Sequence, residues 1–164
     1  MAAQDSEQAD REEAQRGESP PQRLDRNTIE LLNELRVAGT GIQVMFAFLL
    51  VVPFDSRFKE LSAFETTTYF VTLLLVGVAA IVLLAPPIHH RILFRQGEKR
   101  YLVWLANYLA IAGMIFIALG FTGILILLSD VVVGGAAPVV VGTIAFLFIV
   151  GLWFVVPLGR RTED

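Results

Sequence analysis

The stretch that decides the fold is residues 101–129, YLVWLANYLAIAGMIFIALGFTGILILLS, which contains no Asp, Glu, Lys or Arg. Three further stretches share this property: residues 37–54, 66–90 and 131–159. An α-helix rises about 1.5 Å per residue, so about 20 apolar residues cross a hydrocarbon core of about 30 Å. The first stretch is just long enough and the others exceed the need. The sequence therefore predicts four membrane spans, at about residues 37–54, 66–86, 101–128 and 137–158.

The composition of the chain supports a membrane protein and excludes several kinds of chemistry. Hydrophobic residues make up 55% of the 164 residues and charged residues 18%, whereas a soluble domain carries about 25% charged residues. The absence of cysteine excludes disulfides, thiolate metal sites and cysteine nucleophiles. A net charge of −3 does not suggest a nucleic-acid partner. We therefore expect residues 27–161 to form one all-α, four-helix transmembrane bundle.

The two ends of the chain differ from this bundle. Residues 1–26 carry seven acidic residues against four arginines and no apolar core, which predicts a disordered, acidic cytoplasmic tail. Asn27 and Glu30 have the spacing of a helix cap and its capping-box partner, so the first helix is expected to begin at Asn27. Residues 162–164 form a short C-terminal tail in this interpretation.

The basic residues predict how the chain is threaded, because cytoplasmic loops are enriched in Lys and Arg. With four spans, both termini and the loop between the second and third spans share one side of the membrane. That side holds 11 of the 13 basic residues, and the other side holds only Arg57 and Lys59. Both termini are therefore expected in the cytoplasm. The middle loop supplies the candidate contacts to lipid headgroups, which are Arg91, Arg95, Lys99 and Arg100.

Part of the sequence resembles a known family. The resemblance rests on residues 34–37 (ELRV), 46–50 (FAFLL) and 90–95 (HRILFR), together with Gly39, Gly41, Gln43, Pro53 and Phe54. These residues resemble an uncharacterised family of small four-span bacterial membrane proteins, a domain of unknown function, over about residues 28–128. The resemblance implies a bacterial plasma membrane and carries over no activity, cofactor or site residue.

Two amides stand out within the apolar stretches. Gln43 and Asn107 are each the seventh residue of an uncharged run, and both runs begin on the cytoplasmic side. Both amides are therefore expected at a similar depth, about 10 Å from the cytoplasmic end. Amides at matched depth can hydrogen-bond across helices, which predicts a polar packing pair. The functional alternative is that the two amides line a polar cavity.

Small residues recur along the third stretch at the spacing of one helix face: Ala106, Ala110, Gly113 and Gly120. Small residues let helix backbones approach closely in lipid, where no hydrophobic drive brings helices together. The pattern therefore predicts a helix-packing seam. It leaves open whether the partner is another span of the same chain or a second copy.

No residues in the sequence have the spacing of a catalytic, cofactor-binding or metal site. His89 and His90 invite a metal hypothesis, but adjacent helical residues point about 100° apart and no cysteine is available as a further ligand. An enzyme that uses Glu30, Glu34 or His90 on lipid headgroups is left open without a supporting motif. We expect a non-enzymatic interaction or accessory subunit whose partners are the bilayer and either a second copy or another membrane protein. The alternative is a homo-oligomeric channel or small-solute transporter.

Overall fold

The computed structural model describes residues 20–92 and 99–161. Five α-helices occur in these ranges: α1 (Pro20–Val51), α2 (Ala63–Ile92), α3 (Lys99–Val132), α4 (Ala137–Val150) and α5 (Val156–Arg161). A π-helical turn, Gly151–Val155, continues α4 into α5. The prediction of disorder over residues 1–19 and of a tail at 162–164 lies outside the described residues.

Four helical segments are long and apolar enough to cross a membrane: Ile29–Phe54, Ala63–His89, Tyr101–Val132 and Ala137–Arg160. Within the part of the chain that the structure describes, there is no β-strand. The prediction of an all-α protein with four membrane-length helices is confirmed.

The first helix begins earlier than the sequence suggested. α1 starts at Pro20, so Asn27 lies inside the helix and its assignment as the cap is wrong. Proline is favoured in the first turn of a helix because the N–H that it lacks has no intrahelical partner there. Residues 20–26, expected to belong to the disordered tail, are therefore helical.

A capping box does occur at the start of α2. The backbone N–H of Ser62 donates to Glu65 Oε2 at 2.6 Å, and the N–H of Glu65 donates to Ser62 Oγ at 3.2 Å. These reciprocal bonds satisfy N–H groups that have no partner at a helix start. They fix the point at which the chain leaves the segment between α1 and α2 and enters the second span.

The loop between α3 and α4 turns on two glycines. Gly134 and Gly135 have φ angles of 71° and 61°, which residues with a Cβ rarely adopt. Pro138 follows in the first turn of α4. The helix therefore restarts directly after the turn, and α4 runs antiparallel to α3.

The four spans are packed unevenly. α3 contacts α1, α2 and α4, and α1 also contacts α2, whereas within the described residues α4 packs against no helix other than α3. The hydrophobic core is built from α1, α2 and α3, with Leu35, Ile42 and Leu49 facing inward at seven-residue intervals on α1. The bundle is therefore closed on the α2 side and open between α1 and α4.

Candidate functional site

The tightest interface lies between α2 and α3. α2 contributes Thr72, Val76 and Leu83, whose side chains are at most 2% exposed. These residues recur at intervals of four and seven, the spacing that keeps one helix face against an antiparallel or parallel neighbour. The face was not identified from the sequence, because the span is apolar all round and gives no polar contrast to mark its inner side.

The predicted seam residues of α3 lie on the other side of this interface. Ala106 and Ala110 are 6% and 8% exposed, and Gly113 and Gly120 are buried. A Cβ atom placed on Gly113 would lie 2.5 Å from Leu83 Cδ2, and one on Gly120 would lie 2.8 Å from Val76 Cγ2. The neighbour of the seam is therefore α2 of the same chain.

One glycine of this interface was missed by the sequence analysis. Gly123 faces Thr72, and a Cβ atom at this position would overlap the Thr72 hydroxyl. Thr72 directs its hydroxyl to the carbonyl oxygen of Thr68 at 2.7 Å, so its polar atom is satisfied within α2. Gly123 therefore extends the face formed by Gly113 and Gly120 towards the C-terminal end of α3.

The fourth span is attached through one small residue. Gly142 is buried, and a Cβ atom placed on it would lie 2.5 Å from Ile126 Cγ1 of α3. Only Pro138 and Gly142 are buried in α4, and large side chains such as Ile144 and Phe148 are 63% and 68% exposed. The fourth span is therefore the least buried of the four candidate spans.

An apolar cleft of about 510 Å³ separates α1 from the π-helical turn after α4. This cleft is lined by Ala38, Gly41, Ile42, Met45, Met114, Ile117, Phe121 and Trp153. α1 forms one wall, α3 forms the floor, and Trp153 stands at the opposite wall. The lining offers dispersion contacts and a single indole N–H.

The glycines of α1 differ from those of α3 and α4. A Cβ atom placed on Gly41, or on Gly39, would have no neighbouring atom within 4 Å. Glycine in a helix interior costs about 0.5–1 kcal/mol relative to alanine, because it loses more backbone freedom. In α3 and α4 the glycines permit a close helix contact within the chain. The glycines of α1 carry the same free-energy cost relative to alanine, but they make no close helix contact within the chain.

A second, more polar groove lies between α1 and α2. The groove has a volume of about 300 Å³, and the side chains of Arg36, Thr40 and Gln43 line it along one face of α1. Leu83 and Pro87 of α2 are among the residues of the facing wall, and Gly39 lies at its base. The three polar residues are spaced by four and three positions, so they form a stripe about 10 Å long.

Proline has no backbone N–H, so two prolines within the spans each leave a carbonyl group without its usual helical donor. One of these carbonyl groups has a side-chain donor, and the other has none among the described residues. Pro53 has no N–H for the carbonyl oxygen of Leu49, and the hydroxyl of Tyr69 donates to that oxygen at 2.8 Å. Pro87 likewise has no N–H for the carbonyl oxygen of Leu83. Among the described residues, no side chain donates to the Leu83 carbonyl oxygen. Leu83 lines the groove and is 2% exposed.

The proposed pair of amides is not formed. Gln43 and Asn107 are both exposed, and among the described residues neither has a hydrogen-bond partner. Gln43 faces the groove on the α2 side of α1. Asn107 lies one heptad before Met114, which lines the cleft on the other side of α1. The sequence predicted contact from the matched depth of the two amides. In the structure the Gln43 side chain lies on one side of α1, and Asn107 of α3 lies towards the cleft on the other side of α1.

The candidate headgroup contacts are only partly described. Arg91 lies near the end of α2 with an exposed side chain. Lys99 and Arg100 begin α3, but their side chains lie outside the described residues, as does all of Arg95. Trp104 and Tyr108 follow on α3 as exposed, stacked rings with centroids 6.0 Å apart. Amphipathic rings of this kind are typical of a membrane interface.

His89 does not converge with other metal-ligating side chains among the described residues. His89 Nδ1 lies 2.8 Å from the carbonyl oxygen of Ala85, one turn earlier on α2. No group of three His, Cys, Asp or Glu side chains with metal-site geometry occurs among the described residues. The side chain of His90 lies outside them.

Comparison with known proteins places the chain without assigning an activity to it. A family of unknown function, DUF6328, matches residues 17–157. The match extends beyond residues 28–128, on which the resemblance in sequence rested, and includes the fourth span. No curated protein and no solved structure matches the chain.

Proposed function

The chain belongs to the DUF6328 family of unknown function, and on that premise we propose that it is a non-enzymatic accessory subunit of the bacterial plasma membrane. In this proposal the cleft between α1 and α4 receives a membrane-spanning helix of a partner protein. Four membrane-length helices support the multi-pass membrane protein, and the cleft supports the specific role.

The observation that carries the proposal is the open position of Gly41. Small residues are favoured at helix interfaces in lipid because they allow backbones to approach, and Gly41 and Ala38 occur together on the cleft wall. The chain uses Gly113, Gly120, Gly123 and Gly142 for this purpose internally. A partner helix in the cleft would give Gly41 the same use, with Met45, Met114 and Trp153 as adaptable apolar contacts.

A crosslinking experiment at the cleft tests the proposal. The chain has no native cysteine, so a Gly41→Cys variant can carry one benzophenone group at the cleft. Ile81→Cys is the matched control, because Ile81 is 71% exposed on the lipid-facing side of α2. We expect a discrete adduct with another membrane protein from the cleft position alone. A Gly41→Leu variant should lose the partner on co-purification and keep the melting temperature of the parent.

Two other results would redirect the proposal. A homogeneous adduct with copies of the same chain favours the homo-oligomeric channel or small-solute transporter. Equal adducts with lipid at both positions would overturn the cleft as a partner site. Each product is distinguished by mass spectrometry of the crosslinked band.

The proposal includes a topology in which both termini face the cytoplasm. The placement of 11 of 13 basic residues on that side supports it. A cysteine introduced at Ser56 or Ser62 should react with a membrane-impermeant thiol reagent in intact cells, and one at Gln96 should not. The reverse labelling pattern would overturn this topology.

A further inference from the structure

We propose that the groove between α1 and α2 binds the headgroup of an anionic phospholipid. The groove lies on the opposite side of α1 from the cleft, so this inference is independent of the proposed partner site. Its polar wall is the stripe of Arg36, Thr40 and Gln43, and its apolar wall includes Leu32, Leu35 and Leu84. The groove therefore combines a charged end with a surface for an acyl chain.

Two polar side chains of the groove, Arg36 and Gln43, have no hydrogen-bond or ion-pair partner among the described residues. Pro87, on the facing wall, has no N–H for the carbonyl oxygen of Leu83. Thr40 donates its hydroxyl to the carbonyl oxygen of Arg36 at 2.9 Å and keeps its lone pairs available. Polar groups without partners are costly at membrane depth, so an occupant with both donors and acceptors is favoured there.

The charge of the groove selects an anion. Arg36 is the one charged residue among the described residues of the lining, and no ion pair joins it to any of them. Glu34 is two positions away, about 200° around the helix, and so faces away from the groove. Glu30 lies 3.9 Å from Arg26 on α1. A guanidinium in this setting can donate two hydrogen bonds to one phosphate group.

The length of the polar stripe favours a phospholipid over a free anion as the occupant of the groove. Gln43 lies seven residues beyond Arg36, about 10 Å deeper. A phosphate on Arg36 would place the ester groups of a phospholipid towards Thr40 and Gln43, with an acyl chain continuing over the leucines. Inorganic phosphate reaches only the first of these contacts. Gly39 leaves the space for the occupant, since a Cβ atom there meets nothing within 4 Å.

Native mass spectrometry of the full chain in mild detergent tests the site. The probe is an equimolar mixture of phosphatidylglycerol and phosphatidylcholine with identical acyl chains. We expect the parent to retain phosphatidylglycerol preferentially and Arg36→Gln to weaken that retention about tenfold, as expected for loss of a charge-assisted hydrogen bond. Arg91→Gln is the matched control, because it removes an exposed positive charge outside the groove.

Further variants separate the site from a general effect of charge or folding. Gly39→Leu fills the groove without changing its charge and should also abolish the preference, which decides the question if Arg36→Gln fails to fold. Gly41→Leu, on the cleft side, should leave the preference unchanged. Equal retention of both lipids by the parent, or equal weakening by Arg36→Gln and Arg91→Gln, would overturn the proposal. Displacement of the lipid by excess inorganic phosphate alone would overturn it in favour of a free-anion site.

Discussion

Glycines line both the α2–α3 interface and the α1–α4 side of the bundle, but only those at the α2–α3 interface are packed against another helix of the chain. At the α2–α3 interface Gly113 and Gly120 face the buried side chains of Leu83 and Val76 with no room for a Cβ atom. On the α1–α4 side Gly41 opens into a cleft of about 510 Å³. Both regions lie in lipid, where apolar surface alone does not bring helices together.

The role of a glycine in a membrane helix therefore depends on whether another helix packs against it. In α3 a glycine marks a contact that is already made within the chain. In α1 it marks a surface that the chain leaves free. Substitution of a glycine in a packed contact should change the stability of the protein, and substitution of a glycine on a free surface should change its interaction with a partner. The expected effects on stability decrease from the buried positions to the exposed ones.

The largest loss of stability is expected from a substitution at the buried α2–α3 interface. Leu83→Ala should lower the free energy of unfolding by about 2–5 kcal/mol, because it leaves a cavity in a fully packed interface. Ile81→Ala, on the same helix but 71% exposed, is the control and should cost much less, since lipid fills the space. Thermal unfolding in detergent measures both. Equal losses would mean that the α2–α3 interface is not packed as described.

The next effect compares one substitution on the two sides. Gly120→Leu or Gly113→Leu should destabilise the protein by about 1–3 kcal/mol through overpacking against α2. Gly41→Leu introduces the same side chain where no atom lies within 4 Å and should leave the unfolding temperature unchanged. Ile115→Ala and Leu119→Ala, at 45% and 36% exposure on α3, should likewise leave the unfolding temperature almost unchanged. If Gly120→Leu melts with the parent, the close seam is wrong.

A smaller effect is expected where the chain satisfies a carbonyl group that proline has released. Tyr69→Phe should cost about 1–2 kcal/mol, because the Leu49 carbonyl oxygen loses its hydrogen-bond donor. Pro53→Ala restores a backbone N–H at the position that normally bonds this carbonyl. The cost of Tyr69→Phe should therefore shrink in the Pro53→Ala background. An unchanged cost would show that the hydroxyl does not serve that carbonyl.

The smallest effect concerns the two amides. Gln43→Leu and Asn107→Leu should be additive in a double-mutant cycle, because the side chains face different sides of α1. The sequence alone predicted a coupling of about 0.6–2 kcal/mol from their matched depth. A measurable coupling in the purified monomer would contradict the placement of Asn107 on the cleft side.

Local signals in the sequence were reliable for the spans and less so for helix ends. The four uncharged stretches predicted four membrane helices, because length and apolarity suffice for that conclusion. The capping box was assigned to Asn27 and Glu30, although Ser62 and Glu65 carry the same spacing and form the bonds. Two prolines in the first turn moved the start of α1 to Pro20. The spacing identifies a possible cap, and the neighbouring residues decide whether the helix begins there.

Features that depend on one helix at a time could be predicted from the sequence. It determined the number of membrane helices, the small-residue face of α3 and the excess of basic residues on one side. The tertiary structure was needed to show which helix meets that face, that α4 packs on α3 alone among the described helices, and that Gln43 and Asn107 are not hydrogen-bonded to each other. The physical reason is that a span in lipid is apolar all round, so its sequence carries little record of which side faces a neighbour.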